Sequence, residues 1–199
     1  MSPRPLSLQS LPLPGAELAF DPHWLAPAEA DGLFDALIAL VPWEVHRIRL
    51  FGGEVDSPRL SCWIGDSDAV YTYSGTRFTP HPWPPALRPL RTRLARELGI
   101  GFNSVLANLY RDGRDAMGWH SDDEPELGAA PVIASLSLGA ARRFLLRRKS
   151  RGPVALELTL PHGSLLRMAG ATQRLYQHAL PRMARVQSPR INLTFRRIL

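Results

Sequence analysis

The 199 residues are 45% hydrophobic and 21% charged, the proportions of a chain that buries a core of its own, so general disorder is excluded. A single cysteine, Cys62, excludes both an internal disulfide and a multi-cysteine zinc site. Basic residues outnumber acidic ones by 24 to 18, a net charge of +6, and Lys149 is the only lysine; arginine pairs bidentately with phosphate, so the balance favours a polyanionic partner.

Residues 1–22 are rich in Pro and Leu without a clear period, and are expected to form an extended arm that packs loosely. Residues 23–199 are expected to form one domain. Met1-Ser2-Pro3-Arg4-Pro5 lacks the apolar core of a signal peptide, and no apolar run approaches the ~18 residues of a membrane span. A cytoplasmic monomer with no membrane association is expected. Pro27 reads as a first-turn residue of a helix, with Leu33, Phe34, Leu37, Ile38 and Val41 on one face and Pro42 as the stop. Residues 45–73 read as strands and turns, including a tight turn at Phe51-Gly52-Gly53. The rigid loop Pro80 to Pro85 opens a second helix, with Leu87, Leu90, Leu94 and Leu98 on one face and Gly99 at its end. Short strands follow at 102–110, 131–138, 142–148, 153–159, 164–168, 174–179 and 190–198. The fold expected is mainly β with flanking helices (α+β): an antiparallel sandwich or jelly roll with one face covered by the N-terminal helices.

His120-Ser121-Asp122 carries the first chemical signal. Residues two apart on an extended chain point to the same side, so both can reach one metal ion. A further His, either His162 or His178, would complete two histidines and one carboxylate, the facial triad of non-haem Fe(II) oxygenases. The C-terminal strand carries the second signal. Arg190, Asn192, Thr194 and Arg196 alternate with Ile191, Leu193 and Phe195, so one face is polar and the other apolar. Two arginines on a buried face need anions, and a dicarboxylate supplies them. Asn108 and Tyr110 share a face of the 102–110 strand and offer uncharged donors to a carboxylate. A third signal is charge: Arg142, Arg143, Arg147, Arg148, Lys149 and Arg151 surround Phe144-Leu145-Leu146.

Taken together the sequence resembles the AlkB family of Fe(II)- and 2-oxoglutarate-dependent dioxygenases, most closely the branch of the human nuclear DNA-repair homologues. The matching segments are Pro58-Arg59, Gly65-Asp66, Tyr71 to Gly75, Asn103 to Gly113 and His120 to Glu124. They continue with Ile133 to Gly139, His162 to Leu166 and Pro189 to Arg196. The resemblance implies a double-stranded β-helix core over about 102–199 and nucleotide-recognition hairpins over about 45–80. It implies His120, Asp122 and His178 as catalytic iron ligands, with His162 in an His-Gly-Ser turn. It implies Arg190 on the distal carboxylate of 2-oxoglutarate, with Asn108, Tyr110, Asn192, Thr194 and Arg196 completing that pocket and dioxygen as second co-substrate.

For the substrate, the resemblance implies DNA, single- or double-stranded, with RNA as an alternative. The reaction would remove the methyl group of 1-methyladenine or 3-methylcytosine by hydroxylation and loss of formaldehyde. Tyr73 and His120 would sandwich a flipped base beside Ser74, and Glu124 would read its exocyclic amine. Phe51 would wedge into the duplex, and Arg147, Arg148 and Lys149 would hold phosphates. Ile64 departs from the family, whose members usually carry Tyr there. Three rival functions are an RNA or protein hydroxylase of the same chemistry, a zinc hydrolase and a non-catalytic nucleic-acid-binding jelly roll. A hydrolase has no need of Arg190 and Arg196, and a mere binder has no need of an intact triad.

Overall fold

The computed structural model describes residues 7–50, 53–73 and 76–199, with side chains described outside 46–55 and 71–78. In chain order the elements are β1 (Gln9–Leu11), β2 (Glu17–Asp21), α1 (Pro27–Leu40), β3 (Glu44–Leu50), β4 (Gly53–Gly65), β5 (Tyr71–Tyr73), β6 (Thr76–Phe78) and α2 (Leu87–Leu98). They continue with β7 (Ser104–Tyr110), β8 (Met117–His120), β9 (Ile133–Gly139), β10 (Arg142–Arg148), β11 (Val154–Leu160) and β12 (Ser164–Ala169). A single helical turn, α3 (Thr172–Leu175), leads into β13 (Tyr176–Leu180), and β14 (Arg190–Arg196) closes the set. Two sheets make the body: an eight-stranded one in the order β1-β2-β12-β9-β14-β7-β4-β3, and a four-stranded one in the order β11-β10-β13-β8. Strands β5 and β6 form a separate ribbon.

Strand alternation sorts the large sheet into two faces. Val105, Ala107 and Leu109 of β7, Ala134, Leu136 and Leu138 of β9, and Ile191, Leu193 and Phe195 of β14 pack against the helices. Ala30 and Leu37 of α1 and Leu87, Leu90 and Leu94 of α2 cover them. A second core, with Leu13, Leu18, Ile133, Phe144, Leu146, Leu166, Met168 and Tyr176, fills the space toward the small sheet. The even-numbered residues of β7 and β14 therefore face inward, between the sheets, as their alternation predicts. The second helix keeps its predicted face and ends at Gly99 with φ 68°, where a glycine carries no Cβ penalty. Among the described residues, no helix is long and apolar enough to cross a membrane.

Three expectations are corrected. Residues 9–21 are not a loose arm: β1 and β2 form a hairpin, and β2 pairs with β12. Leu13 and Leu18 are buried in the second core, and Pro12 and Pro14 fall between the two strands, where a missing N–H costs no ladder bond. Ile38 does not join the buried stripe of α1 and is 40% exposed, because Leu37 and Ala30 already fill the contact. Strand β8 lay in no predicted strand; it is four residues long and too short for a period to show.

Candidate metal and co-substrate site

Antiparallel pairing of β8 with β13 sets His120 opposite His178. Their rings meet at 4.1 Å between centroids, and Asp122, two residues on, closes the group. Asp122 Oδ1 lies 3.6 Å from His120 Nε2 and 4.0 Å from His178 Nε2, and one potential ligand atom from each residue lies within 4.8 Å of the others. His120 Nδ1 sits 2.9 Å from the Gly118 carbonyl, which can only accept. The proton is therefore on Nδ1, and the Nε2 lone pair is free for a metal. Ser121 points the other way and donates to the Tyr176 carbonyl at 2.8 Å, pinning the turn to β13. The Asp122 N–H donates to Gln173 Oε1 at 2.9 Å.

The electrostatics suit a cation. Burial pushes the Asp122 carboxyl up, but Arg196, His178 and His120 outweigh it and hold the group well below the usual carboxylate range. Arg196 Nη2 donates to Asp122 Oδ2 at 2.8 Å. Burial, then the neighbouring His120, drives His178 down to about 3, and burial also lowers His120. An ionised carboxylate beside two neutral imidazoles is the ligand set that an octahedral Fe(II) takes without first losing protons.

His162 is not in this cluster. Its Nδ1 accepts the Gly139 N–H at 2.8 Å, so its Nε2 carries the proton and faces Asp31 Oδ1 at 3.1 Å. It joins β9 to α1 as a structural tie. Of the two histidines the sequence left open as partners for His120 and Asp122, the geometry brings in His178.

The inward row of β14 lies beside the triad. Register sets Arg190 against Tyr110 and Asn192 against Asn108. All six predicted co-substrate residues (Asn108, Tyr110, Arg190, Asn192, Thr194 and Arg196) line one cleft with His120, Asp122, His178 and Glu124. Arg190 is 2% exposed, and its Nη2 donates to Ser137 Oγ at 2.8 Å. Its Nε and Nη1 have no hydrogen-bond partner. Burial pulls its pKa down to about 10. A buried guanidinium with two unsatisfied N–H groups fits a carboxylate brought by a small molecule.

Arg59 carries no role in the sequence reading. It is buried on the same cleft, donating from Nε to Asn108 Oδ1 at 2.7 Å and from Nη1 to Ser57 Oγ at 3.0 Å. Ser57, Arg59, Ser61 and Trp63 repeat every second residue along β4, and that period was the signal available.

The basic run does not form one patch. Arg142 is buried, and Arg143 pairs with Glu157 at 2.7 Å. Arg147 lies 4.2 Å over the Trp119 ring, Arg148 lies 4.7 Å over Tyr176, and Lys149 pairs with Asp123. Strand alternation divides the run between the two faces of β10, which a count of charges along the chain ignores. Phe51 and Ser74 lie outside the described residues; Tyr73 ends β5 with its side chain likewise outside them.

The sequence profile of the 2OG-Fe(II) oxygenase superfamily matches residues 17–196. This chain belongs to that superfamily. As a 2OG-Fe(II) oxygenase it is 41% identical over 186 residues to human alpha-ketoglutarate-dependent dioxygenase alkB homolog 3, covering 89% of this chain and 64% of the relative. It is 43% identical over 182 residues to mouse DNA oxidative demethylase ALKBH2, covering 86% of this chain and 76% of the relative. The chain thus spans a little under two thirds of the alkB homolog 3 proteins that it matches. The structure of OsALKBH1 superposes with a TM-score of 0.63 at 19% identity, over 96% of this chain and all of the other, and supports the fold. The resemblance to the AlkB family holds, and the His120–Asp122–His178 group and the Arg190 row share one cleft.

Proposed function

We propose that this chain is an oxidative demethylase acting on N-alkylated bases in DNA, with 1-methyladenine and 3-methylcytosine as its substrates. The observation that carries the reading is the His120–Asp122–His178 group facing the Arg190–Arg196 row across one cleft. The identity to proteins named for DNA oxidative demethylation supports it. When bound, Fe(II) with 2-oxoglutarate and dioxygen supplies oxidation of an N-methyl carbon to a hydroxymethyl group, which departs as formaldehyde and leaves the base restored.

The chain's own residues do the rest. His120, Asp122 and His178 would hold the iron, and Arg190 would fix the distal carboxylate of 2-oxoglutarate against Tyr110 and Asn108. Glu124, which lines the same cleft, would accept from the exocyclic amine of adenine or cytosine. Tyr73 would cover the base opposite His120. Unpaired methylated bases cost least to extrude, which favours damaged over normal nucleotides. The deciding experiment is mass spectrometry of methylated single- and double-stranded DNA and RNA oligonucleotides incubated with Fe(II), 2-oxoglutarate and oxygen. Loss of the methyl group from DNA is expected. Demethylation of RNA alone would move the substrate to RNA, and an unchanged mass in every arm would overturn the reading.

Duplex entry rests on Phe51. The register pairs Leu50 of β3 with Gly53 of β4; Phe51 itself lies outside the described residues, and its role is read from the sequence. Gly52 and Gly53 can take the positive backbone angles of a tight turn, which would hold Phe51 at its tip. Aromatic stacking is worth ~1–3 kcal/mol per base, the size of the few kcal/mol that extrusion costs. Phe51→Ala is expected to reduce repair of duplex DNA far more than repair of single strands, with the melting temperature nearly unchanged. Equal loss on both substrates would make Phe51 a structural residue.

Phosphate binding is tested separately. Replacing Arg147, Arg148 and Lys149 with glutamine should weaken binding to all sequences alike. The slope of log K against log salt is expected to fall by about two, from roughly one per phosphate contact. The expected fall is nearer two than three because the Lys149 charge is already spent on Asp123. A salt slope matching the parent protein would show that these cations do not meet the nucleic acid.

A further inference from the structure

Arg142 opens β10, and its sequence context places it with the solvated basic run. It is instead 1% exposed. Its Nη1 donates to the Asp112 carbonyl at 3.0 Å, and its Nη2 to the carbonyls of Asp115 and Pro181 at 2.8 and 2.9 Å. Those carbonyls belong to the loop after β7 and the loop after β13.

The two loops are already joined without it. The Gly113 N–H donates to the Val186 carbonyl and the Met183 N–H to the Gly113 carbonyl, both at 2.8 Å. A Cβ on Gly113 would lie 1.8 Å from the Met183 oxygen, so only glycine permits this approach. Tying the loops therefore does not account for a buried cation at this point.

The ring of Tyr110 does. The Arg142 guanidinium carbon lies 5.7 Å from its centroid, and that of Arg190 lies 5.3 Å from it. Two buried guanidinium groups thus share one aromatic ring. Arg142 donates to backbone carbonyls, with the Asp115 and Asp112 charges nearby, whereas Arg190 donates to the Ser137 hydroxyl and interacts with the Tyr110 side chain. Asp115 and Asp112 offset part of the Arg142 charge, but among the described residues no carboxylate acts on Arg190 in the same way, so like charges this close and this dry remain costly until an anion joins them at Arg190. Burial lowers the pKa of both, and the Arg142 charge further lowers that of Arg190. Arg142 does not line the cleft, whereas Tyr110 and Arg190 do.

We propose that Arg142 is a positioning residue for the distal carboxylate of the co-substrate: it braces Tyr110 from behind and adds positive potential at Arg190, so that this end of the cleft selects a 2-oxo dicarboxylate over a 2-oxo monocarboxylate. The proposal rests on the reading of 2-oxoglutarate as co-substrate. A carboxylate at Arg190 meets one cation directly and a second through the Tyr110 ring. Cation–π contact and like-charge compensation act together there.

The test is calorimetric titration of the full chain loaded with Mn(II), using 2-oxoglutarate and, separately, 2-oxobutyrate. The second ligand has the same 2-oxo acid head and no distal carboxylate. Arg142→Met is expected to weaken 2-oxoglutarate roughly tenfold and to change 2-oxobutyrate less than about twofold. Arg142→Lys keeps the charge but cannot lie flat on Tyr110 while serving three carbonyls, and its expected cost is about threefold on 2-oxoglutarate alone. Both variants lower the melting temperature through the lost carbonyl bonds, so the ratio of the two affinities is the deciding quantity. A ratio matching the parent protein in both variants, whether the two ligands weaken together or not at all, overturns the proposal. If Arg142→Met does not fold, the ratio for Arg142→Lys decides alone. A parent protein that takes up neither ligand defeats the 2-oxoglutarate reading itself, a result distinct from an unchanged ratio.

Discussion

His120→Ala, Asp122→Ala and His178→Ala are each expected to abolish 2-oxoglutarate turnover and Fe(II) uptake while the fold persists. Each removes one of three ligands, and the loss should exceed the roughly 10–100-fold that removal of a supporting hydrogen-bond partner costs. Binding shows in stability as well as in activity. A metal at about 100 times its dissociation constant adds ~2.7 kcal/mol to the parent protein, and the three variants should gain almost nothing from the same addition. The variants also differ from one another. Asp122→Ala strips Arg196 of its buried carboxylate and should cost about 3–5 kcal/mol of folding stability besides, whereas Asp122→Asn should cost less, because its side-chain oxygen can still accept from Arg196. His162→Ala is the control. Its Nδ1 accepts from Gly139 and its Nε2 only faces Asp31, both away from the triad, and metal-induced stabilisation should survive its loss. Disappearance of that stabilisation in His162→Ala, or its retention in His178→Ala, would overturn the ligand assignment.

Arg190→Leu should raise the Michaelis constant for 2-oxoglutarate by two to three and a half powers of ten. The figure follows from about 3–5 kcal/mol for a buried charge left without its partner, at about 1.4 kcal/mol per tenfold. The same substitution should stabilise the ligand-free protein. Arg190 is 2% exposed with two N–H groups unsatisfied, and replacing such a cation with an apolar side chain removes an uncompensated charge. A gain of about 1–4 kcal/mol is expected, read as a higher melting temperature. Activity and stability thus move in opposite directions, which a residue that merely supports the sheet would not do. Unchanged dependence on 2-oxoglutarate would reject the role.

The sequence made the inward rows of β7 and β14 legible because a period of two survives in any strand of seven residues. Arg190, Asn192, Thr194 and Arg196 point one way whatever lies beside them. What alternation cannot supply is the neighbour. The pairing of His120 with His178 spans 58 residues, and the sequence alone left His162 equally available; it was the family resemblance that preferred His178. Arg142 shows the converse error. Six cations within ten residues suggested one charged surface, yet the strand turned the first of them into the interior, where backbone carbonyls rather than acids receive it. Residues 9–21 were misread because prolines blur a strand pattern, and only the open edge of β12 makes a hairpin there worthwhile.

The placement of β14 has a consequence for biosynthesis. It is the last strand of the large sheet to be translated, and it lies between β9 and β7, pairing with both. Until Arg196 has emerged from the ribosome β9 and β7 lack the partner they share, and each would leave a row of backbone donors and acceptors bare. Bare strand edges invite pairing with other chains, and domains generally close only when all their elements are present. The residues we propose to hold the carboxylate of the co-substrate are therefore also the ones that complete the sheet, and on that reading a nascent chain cannot assemble its active site ahead of its fold.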